Sequence, residues 1–314
     1  MSDTTEPRLQ AVLCSSPGGL HRMAYWEWGA PDNDRVLLCA HGLTRTGRDF
    51  DTLARRLARR YRVVCPDVVG RGRSDWLANT SFYTVPQYVG DMLTLLARIQ
   101  PRELHWVGTS MGGLIGLGLA GARASQARLI RPEPNGAWSP MPAELGQLRF
   151  ASMTLNDVGP HLEAGALARI TEYLAQPLVF PAFELAVAYV RQVSASFGPH
   201  SETQWQELTR HVFVQTAAGW VKHYDPGIAL AVNLDGAALA MGEQILWQAY
   251  ASLECPVLIC RGNESDLFAR RTAYEMLERH DRAQLAEFEG VGHAPTFMQA
   301  EQLAVLEDFL AQAV

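Results

Sequence analysis

At 314 residues, with 48% hydrophobic and 19% charged side chains, the chain is long enough to bury a large core, as one α/β domain or as a domain carrying an inserted cap. Its net charge of −6 leaves no basic footprint for nucleic acid or for an anionic membrane. The five cysteines are an odd number without metal-type spacing, and Cys39, Cys65 and Cys260 fall inside predicted buried strands, which favours reduced thiols.

The first residues, Met1-Ser2-Asp3-Thr4-Thr5-Glu6, lack the basic and apolar regions of a signal peptide. No apolar run is long enough to span a bilayer; the nearest, 177–190, contains Pro181 and Glu184. A cytoplasmic setting is the expectation.

Residues 9–13 and 21–28 read as opening strands around Pro17-Gly18-Gly19. The unbroken apolar run Arg35–Ala40 fits a central parallel strand covered on both faces, and it ends at His41-Gly42-Leu43-Thr44-Arg45. A helix over 48–59 leads to a strand at 61–65, which ends at Pro66-Asp67 and the glycine-rich stretch Gly70-Arg71-Gly72-Arg73-Ser74-Asp75. That stretch matches neither the dinucleotide fingerprint nor the Walker loop, and reads as a tight structural loop held by Asp67 and Asp75. Pro86 opens a helix that runs to about Ile99.

Next come an apolar strand, 104–107, the turn Gly108-Thr109-Ser110-Met111-Gly112 and a glycine-rich buried helix. Gly-x-Ser-x-Gly between strand and helix is the pattern of a nucleophile elbow. The turn forces the serine into a strained backbone conformation, lifts Oγ clear of the sheet and aims the first helix amides at the same space.

Residues 123–146, with Pro132, Pro134, Pro140, Pro142 and Asn135-Gly136, break the rhythm and read as a surface loop. The sheet resumes at 150–155, followed by Asn156-Asp157-Val158-Gly159-Pro160. From 161 to 245 the pattern turns helical, with scattered aromatics that include Tyr173, Phe197, Trp205 and Tyr224; this is expected to be an inserted helical cap, some of whose aromatics line an apolar pocket. A strand at 256–260, a helix at 268–280, a strand at 283–288, the loop Gly290-Val291-Gly292-His293 and a last helix at 297–312 complete the chain. The predicted domains are therefore a core of 1–160 and 246–314 and a cap of 161–245.

Strands alternating with helices predict a doubly wound, mostly parallel sheet, whose chemistry gathers at the carboxyl ends of its strands. Ser110, His41 and Asp67 all fall on that edge. A serine hydroxyl needs a base, and His293, in a glycine-flanked loop after a returning strand, is the best placed of nine histidines. His41 stands on the same edge, where it can hold its loop through backbone hydrogen bonds or face a substrate. The imidazole needs an acid to fix its tautomer. Asp266 follows the strand ending at Cys260 and keeps the chain order Ser…Asp…His, with Glu264 and Asp157 as rivals. For a developing oxyanion the expected donors are the amides of Met111 and Leu43, with Thr44 as the alternative to the second. Arg45 can bind a substrate carboxylate or pair with Asp49 one helical turn away.

Together His41-Gly42, Asp67-x-x-Gly70-x-Gly72-x-Ser74-Asp75, Gly108-x-Ser110-x-Gly112-Gly113, Ser265-Asp266 and Gly290-x-Gly292-His293 resemble the α/β-hydrolase superfamily over nearly the whole chain. The resemblance implies an eight-stranded, mostly parallel sheet with helices on both faces and a helical cap between its sixth and seventh strands. It also implies a Ser110–Asp266–His293 triad, an oxyanion hole at Leu43 and Met111, and no metal or organic cofactor. Members that use aspartate at the elbow, haloalkane dehalogenases and epoxide hydrolases, are disfavoured by Ser110. The expectation is a serine hydrolase that acts on a small-molecule carboxylic ester through an acyl-enzyme. Carbon–carbon bond hydrolysis, lactone hydrolysis and a triad-retaining ligand sensor are the alternatives, and monomer and homodimer remain open.

Overall fold

A computed structural model describes residues 6–129, 149–174, 176–232 and 235–313. The chain opens with strands β1 (Arg8–Ser16), β2 (Gly19–Trp28) and β3 (Arg35–Ala40), then helix α1 (Asp51–Leu57), strand β4 (Arg62–Pro66) and helix α2 (Val85–Ile99). Strand β5 (Glu103–Thr109), helix α3 (Met111–Leu129) and strand β6 (Phe150–Asn156) follow.

An inserted segment then carries helix α4 (Ala164–Leu174), strand β7 (Val179–Phe180), helices α5 (Phe183–Val193) and α6 (Glu202–Arg210), strands β8 (Phe213–Thr216) and β9 (Gly219–Lys222), and helix α7 (Ile228–Ala231). Helix α8 (Gly236–Ala251), strand β10 (Val257–Gly262), helix α9 (Arg270–Glu278), strand β11 (Ala283–Phe288) and helix α10 (Ala300–Gln312) complete the chain.

Eight strands form one sheet in the order β1-β2-β4-β3-β5-β6-β10-β11. The pairings β1–β2 and β2–β4 are antiparallel, and the rest are parallel. The parallel strands are apolar on both sides because helices cover both faces. On β3, Val36, Leu38 and Ala40 join a core with Met92 of α2, Ile115 of α3 and Met276 of α9. Leu37 and Cys39 face the opposite core, with Leu53 and Leu57 of α1 and Leu306 and Phe309 of α10. The alternation of period two along one strand feeds two cores at once.

The sequence reading locates the strands of the eight-stranded sheet, and two of its boundaries shift. Helix α3 runs on to Leu129, into the stretch expected to be a loop; the remainder of that loop, with its four prolines, lies outside the described residues. Helix α8 begins inside the predicted cap, runs on past its end at 245 and packs on the core. A Cβ on Gly121 of α3 would lie 3.2 Å from Ala249, and Tyr250 donates to the Met276 carbonyl. The inserted segment is also not wholly helical, since β7, β9 and β8 form a small antiparallel sheet. Its own core joins Val187 and Val190 of α5 to Trp205 and Leu208 of α6 and to Phe213 of β8. Among the described residues no helix is long and apolar enough to cross a membrane.

Candidate active site

Ser110 sits between β5 and α3 with φ of 52°, the left-handed region that a residue with a Cβ adopts only at a cost. The turn closes because its flanks lack side chains: a Cβ on Gly108 would come 2.4 Å from the Gly112 carbonyl oxygen, and one on Gly112 would come 1.9 Å from that of Ala40. Ser110 N–H donates to the Asn156 carbonyl at 2.9 Å, which ties the turn to the neighbouring strand end. Met111 opens α3, so its amide has no carbonyl four residues back within the helix.

His293 Nε2 lies 3.0 Å from Ser110 Oγ, and its Nδ1 lies 2.7 Å from Asp157 Oδ2. A carboxylate oxygen can only accept, so Nδ1 carries the ring proton and Nε2 is left to accept from the serine hydroxyl. Asp157 follows β6 directly, is 0% exposed and also has a left-handed φ, 53°. Its Oδ1 accepts from Gly262 N–H at 2.9 Å and its Oδ2 from Ser265 Oγ at 2.5 Å.

Asp266 is not in this arrangement. Its side chain is 54% exposed, and its Oδ2 accepts from Arg169 Nη2. Strand order explains the correction. Strand β6 lies between β5 and β10, so a residue just past its end stands one strand nearer Ser110 than a residue past β10. The loop after β10 turns at Ser265, whose N–H returns to the Gly262 carbonyl, and Ser265 faces Asp157 while Asp266 faces out. Glu264 is exposed as well. Asp157, named in the sequence only as a rival, is the carboxylate that meets His293.

The loops after β3 and β4 meet through His41. This ring is 0% exposed; Nδ1 donates to the Gly42 carbonyl at 2.7 Å, and Nε2 accepts from Val68 N–H at 2.9 Å. Burial pushes its pKa down to about 3. With both nitrogens engaged, His41 holds the loop and has none left for a substrate. Arg45 forms a two-pronged pair with Asp49, at 2.6 and 2.8 Å, and donates to the Leu208 carbonyl of α6 at 2.9 Å. It borders the cavity with its charge already matched.

The residue that sequence reading passed over here is Arg71. It is 0% exposed, and its Nε donates to the Leu43 carbonyl at 2.9 Å. Nη1 donates to the Val69 carbonyl and to Tyr88 Oη, and Nη2 lies 3.6 Å from Met111 Sδ. One guanidinium thus touches both residues whose amides were expected to serve an oxyanion. Asn156 is the second: its Nδ2 donates to Thr109 Oγ1 and to the Pro295 carbonyl, joining the serine turn to the histidine loop. Arg71 stands at an unspecified position of the Asp67–Asp75 motif and Asn156 belongs to none, so only packing reveals their contacts.

A cavity of about 130 Å³ opens over Ser110 and His293. Gly42, Leu43 and Thr44 border it on the sheet side, and Tyr173, Tyr189, Phe197, Phe213 and Tyr224 of the inserted segment line it from above. Phe183 and Trp220 instead stack on each other, with ring centroids 4.8 Å apart. Far from this edge, Cys14, His21 and Asp91 bring one ligand-type atom each within 4.8 Å of one another. Burial and the nearby Asp91 push the Cys14 thiol up to about 12, and it bonds to the Asp91 carbonyl. That cluster is a hydrogen-bonded seam fastening β1 and β2 to α2.

Comparison with known proteins agrees with this architecture. The profile described as "Alpha/beta hydrolase family" matches residues 36–306. A 3-hydroxybutyrate-oligomer hydrolase of Cupriavidus necator is 48% identical over 315 aligned residues, which cover 99% of this chain and 100% of that protein. A crystal structure of an alpha/beta hydrolase from Novosphingobium aromaticivorans is 30% identical, with a TM-score of 0.80, covering 98% of this chain and 99% of that one. A putative hydrolase from Rickettsia typhi superposes with a TM-score of 0.81 at 26% identity over 97% and 99% of the two chains. On fold, profile and full-length likeness alike, the chain belongs to the alpha/beta hydrolase family.

Proposed function

We propose that the protein is a serine ester hydrolase that cleaves short linear oligomers of 3-hydroxybutyrate or a closely similar hydroxy acid. The observation that carries the catalytic half of this reading is the hydrogen-bonded series Ser110–His293–Asp157 at the floor of a cavity. The full-length likeness to the Cupriavidus necator 3-hydroxybutyrate-oligomer hydrolase supports the substrate half.

In this mechanism Ser110 Oγ attacks the ester carbonyl as its proton passes to His293 Nε2, and Asp157 steadies the imidazolium. The negative charge that develops on the carbonyl oxygen is met by the amides of Leu43 and Met111, whose loops Arg71 holds in register. Collapse breaks the bond to the leaving alkoxide, which takes the proton from His293 and departs as the hydroxyl end of one fragment. Water then gives a proton to His293 and attacks the acyl-enzyme; the second fragment leaves as an acid, and Ser110 recovers its hydrogen. The segment from 161 to about 235 acts as the cap of this site and excludes bulk water from it.

The test is hydrolysis of the 3-hydroxybutyrate dimer and of p-nitrophenyl butyrate, by the wild type and by Ser110→Ala. Removal of the serine is expected to lower turnover of both substrates by about 10⁴-fold or more. Retained turnover in Ser110→Ala would refute the nucleophile. Cleavage of p-nitrophenyl butyrate without cleavage of the dimer would refute the substrate and leave the serine mechanism standing.

A further inference from the structure

The lining of the cavity is unbalanced in charge. Arg45, Arg169 and Lys222 border it, and among the described residues no aspartate or glutamate does. Arg71, buried behind Leu43 and Met111, adds a fourth cation, and it has no carboxylate within ion-pair distance among the described residues. This concentration of positive charge stands out in a chain whose net charge is −6.

The four cations are compensated to different degrees. Asp49 neutralises Arg45 through two short bonds. Arg169 gives a single nitrogen to Asp266, and both of those side chains are about half exposed, at 51% and 54%. Among the described residues Lys222 has no carboxylate partner: its Nζ donates to the carbonyls of Tyr173 at 2.8 Å and Gln176 at 2.9 Å, with Leu174 more distant at 3.5 Å. Those carbonyls lie at and just past the end of α4, where the helix dipole favours a cation, so the ammonium is held in place without being neutralised. Desolvation lowers its pKa to about 8, and no ion-pair partner opposes that shift. An anion entering the cavity would supply the counter-charge that the protein withholds.

From this charge distribution we infer that the cavity is built for a substrate with a free carboxylate, recognised by Lys222 and Arg169 while an ester bond of the same molecule lies over Ser110. The inference rests on the oligoester reading above and makes it more specific. A linear hydroxy-acid oligomer has one carboxylate, at one end only, so cations that border the cavity from the inserted segment distinguish the two ends. The aromatic wall of Tyr173, Phe213 and Tyr224 accommodates the apolar body between the two polar ends. Among the described residues only Nη2 of Arg169 is engaged, by Asp266, which leaves Nε and Nη1 for a second anion.

The experiment compares the 3-hydroxybutyrate dimer as the free acid with the same dimer capped as a primary carboxamide, which has the same single ester bond and no charge. The wild type is expected to prefer the acid by about tenfold or more in kcat/KM, mostly through KM. Lys222→Met and Arg169→Met should each reduce that preference several-fold, and the double variant should abolish it. Lys222→Arg, which keeps the charge, should restore it. Equal kcat/KM on acid and carboxamide in the wild type would overturn the inference while leaving the oligoester reading intact. Parallel loss of both substrates in Lys222→Met, with no rescue by arginine, would reduce Lys222 to a cap for α4 and overturn it too. Failure of the wild type to cleave either dimer, with p-nitrophenyl butyrate still cleaved, would remove the oligoester reading and this inference together.

Discussion

Beneath the cavity, the groups at the sheet edge are buried and engaged. Asp157 and His41 are 0% exposed, and both have hydrogen bonds to main-chain groups as well as a fixed place at a strand end. Above the cavity, the inserted segment presents aromatic faces and the half-exposed Arg169, held by a single ion pair to Asp266. The two carboxylates that follow β6 and β10 fall on either side of this divide. Asp157 accepts from three hydrogen-bond donors; Asp266 accepts from one exposed arginine. A side chain fixed by neighbouring backbone is positioned before a substrate arrives, which is what an acid behind a catalytic histidine requires. A side chain fixed by one surface pair adjusts when the segment above it moves.

The strongest way to break this contrast is Asp157→Asn. Without the carboxylate, His293 loses its tautomeric control, and kcat on p-nitrophenyl butyrate is expected to fall by about 10³- to 10⁴-fold. The loss should appear in kcat rather than KM, since the acid acts on the transition state. A decrease below tenfold would show that the buried turn after β6 is structural, and that another carboxylate serves His293.

Burial at the sheet edge also predicts how the fold responds to acid. His41 is neutral in the fold, with a pKa of about 3, whereas in the unfolded chain it titrates near the ordinary histidine value of 6.5. Below pH 6.5 the unfolded chain takes up a proton that the folded chain refuses, so stability falls steadily until about pH 3. The slope is about 1.4 kcal/mol per pH unit, or roughly 2 kcal/mol between pH 6.5 and 5. Asp67, raised by burial to about 6, works in the opposite direction over part of the range, and comparison of two variants cancels it. Chemical denaturation of wild type and His41→Gln at pH 7 and pH 5 isolates the histidine: the wild type should lose about 2 kcal/mol more than the variant on acidification. Identical losses would mean that His41 is accessible to protons in the fold.

Much of the sheet edge was legible in the sequence because local chemistry writes it there. The glycines around Ser110 are demanded by clearances of 2.4 Å or less, and unbroken apolar runs are demanded by burial on both faces. The carboxylate that meets His293 was misread because chain order does not fix spatial order. Asp157 and Asp266 both follow strands that end on the right edge, and only the sequence of strands in the sheet, β5-β6-β10, says which is nearer the serine. A further clue, the left-handed φ of Asp157, leaves no mark in the sequence because aspartate tolerates that conformation. Arg71 was hidden for a similar reason. Its role comes from contacts with Leu43 and Met111, which lie 28 and 40 positions away in the chain. The inserted segment was legible as an interruption but not in its limits, since the apolar pattern of α8 does not reveal which layer it packs against.

The smallest effect, and the one with the most informative sign, belongs to Asp266→Asn. Exposed ion pairs contribute little, so stability and kcat on p-nitrophenyl butyrate are expected to stay within about threefold of wild type, in contrast to Asp157→Asn. The free-acid dimer should respond differently. Loss of the Asp266 charge removes the carboxylate that Arg169 holds among the described residues, and the guanidinium then faces the cavity with its full charge. KM for the acid dimer is expected to fall by about two- to fivefold, while KM for the carboxamide dimer does not move. A rise in KM for both dimers would mean that the Arg169–Asp266 contact shapes the cavity mouth rather than competing with substrate. The divide between a fixed edge and an adjustable wall would then have to be drawn above Arg169, not below it.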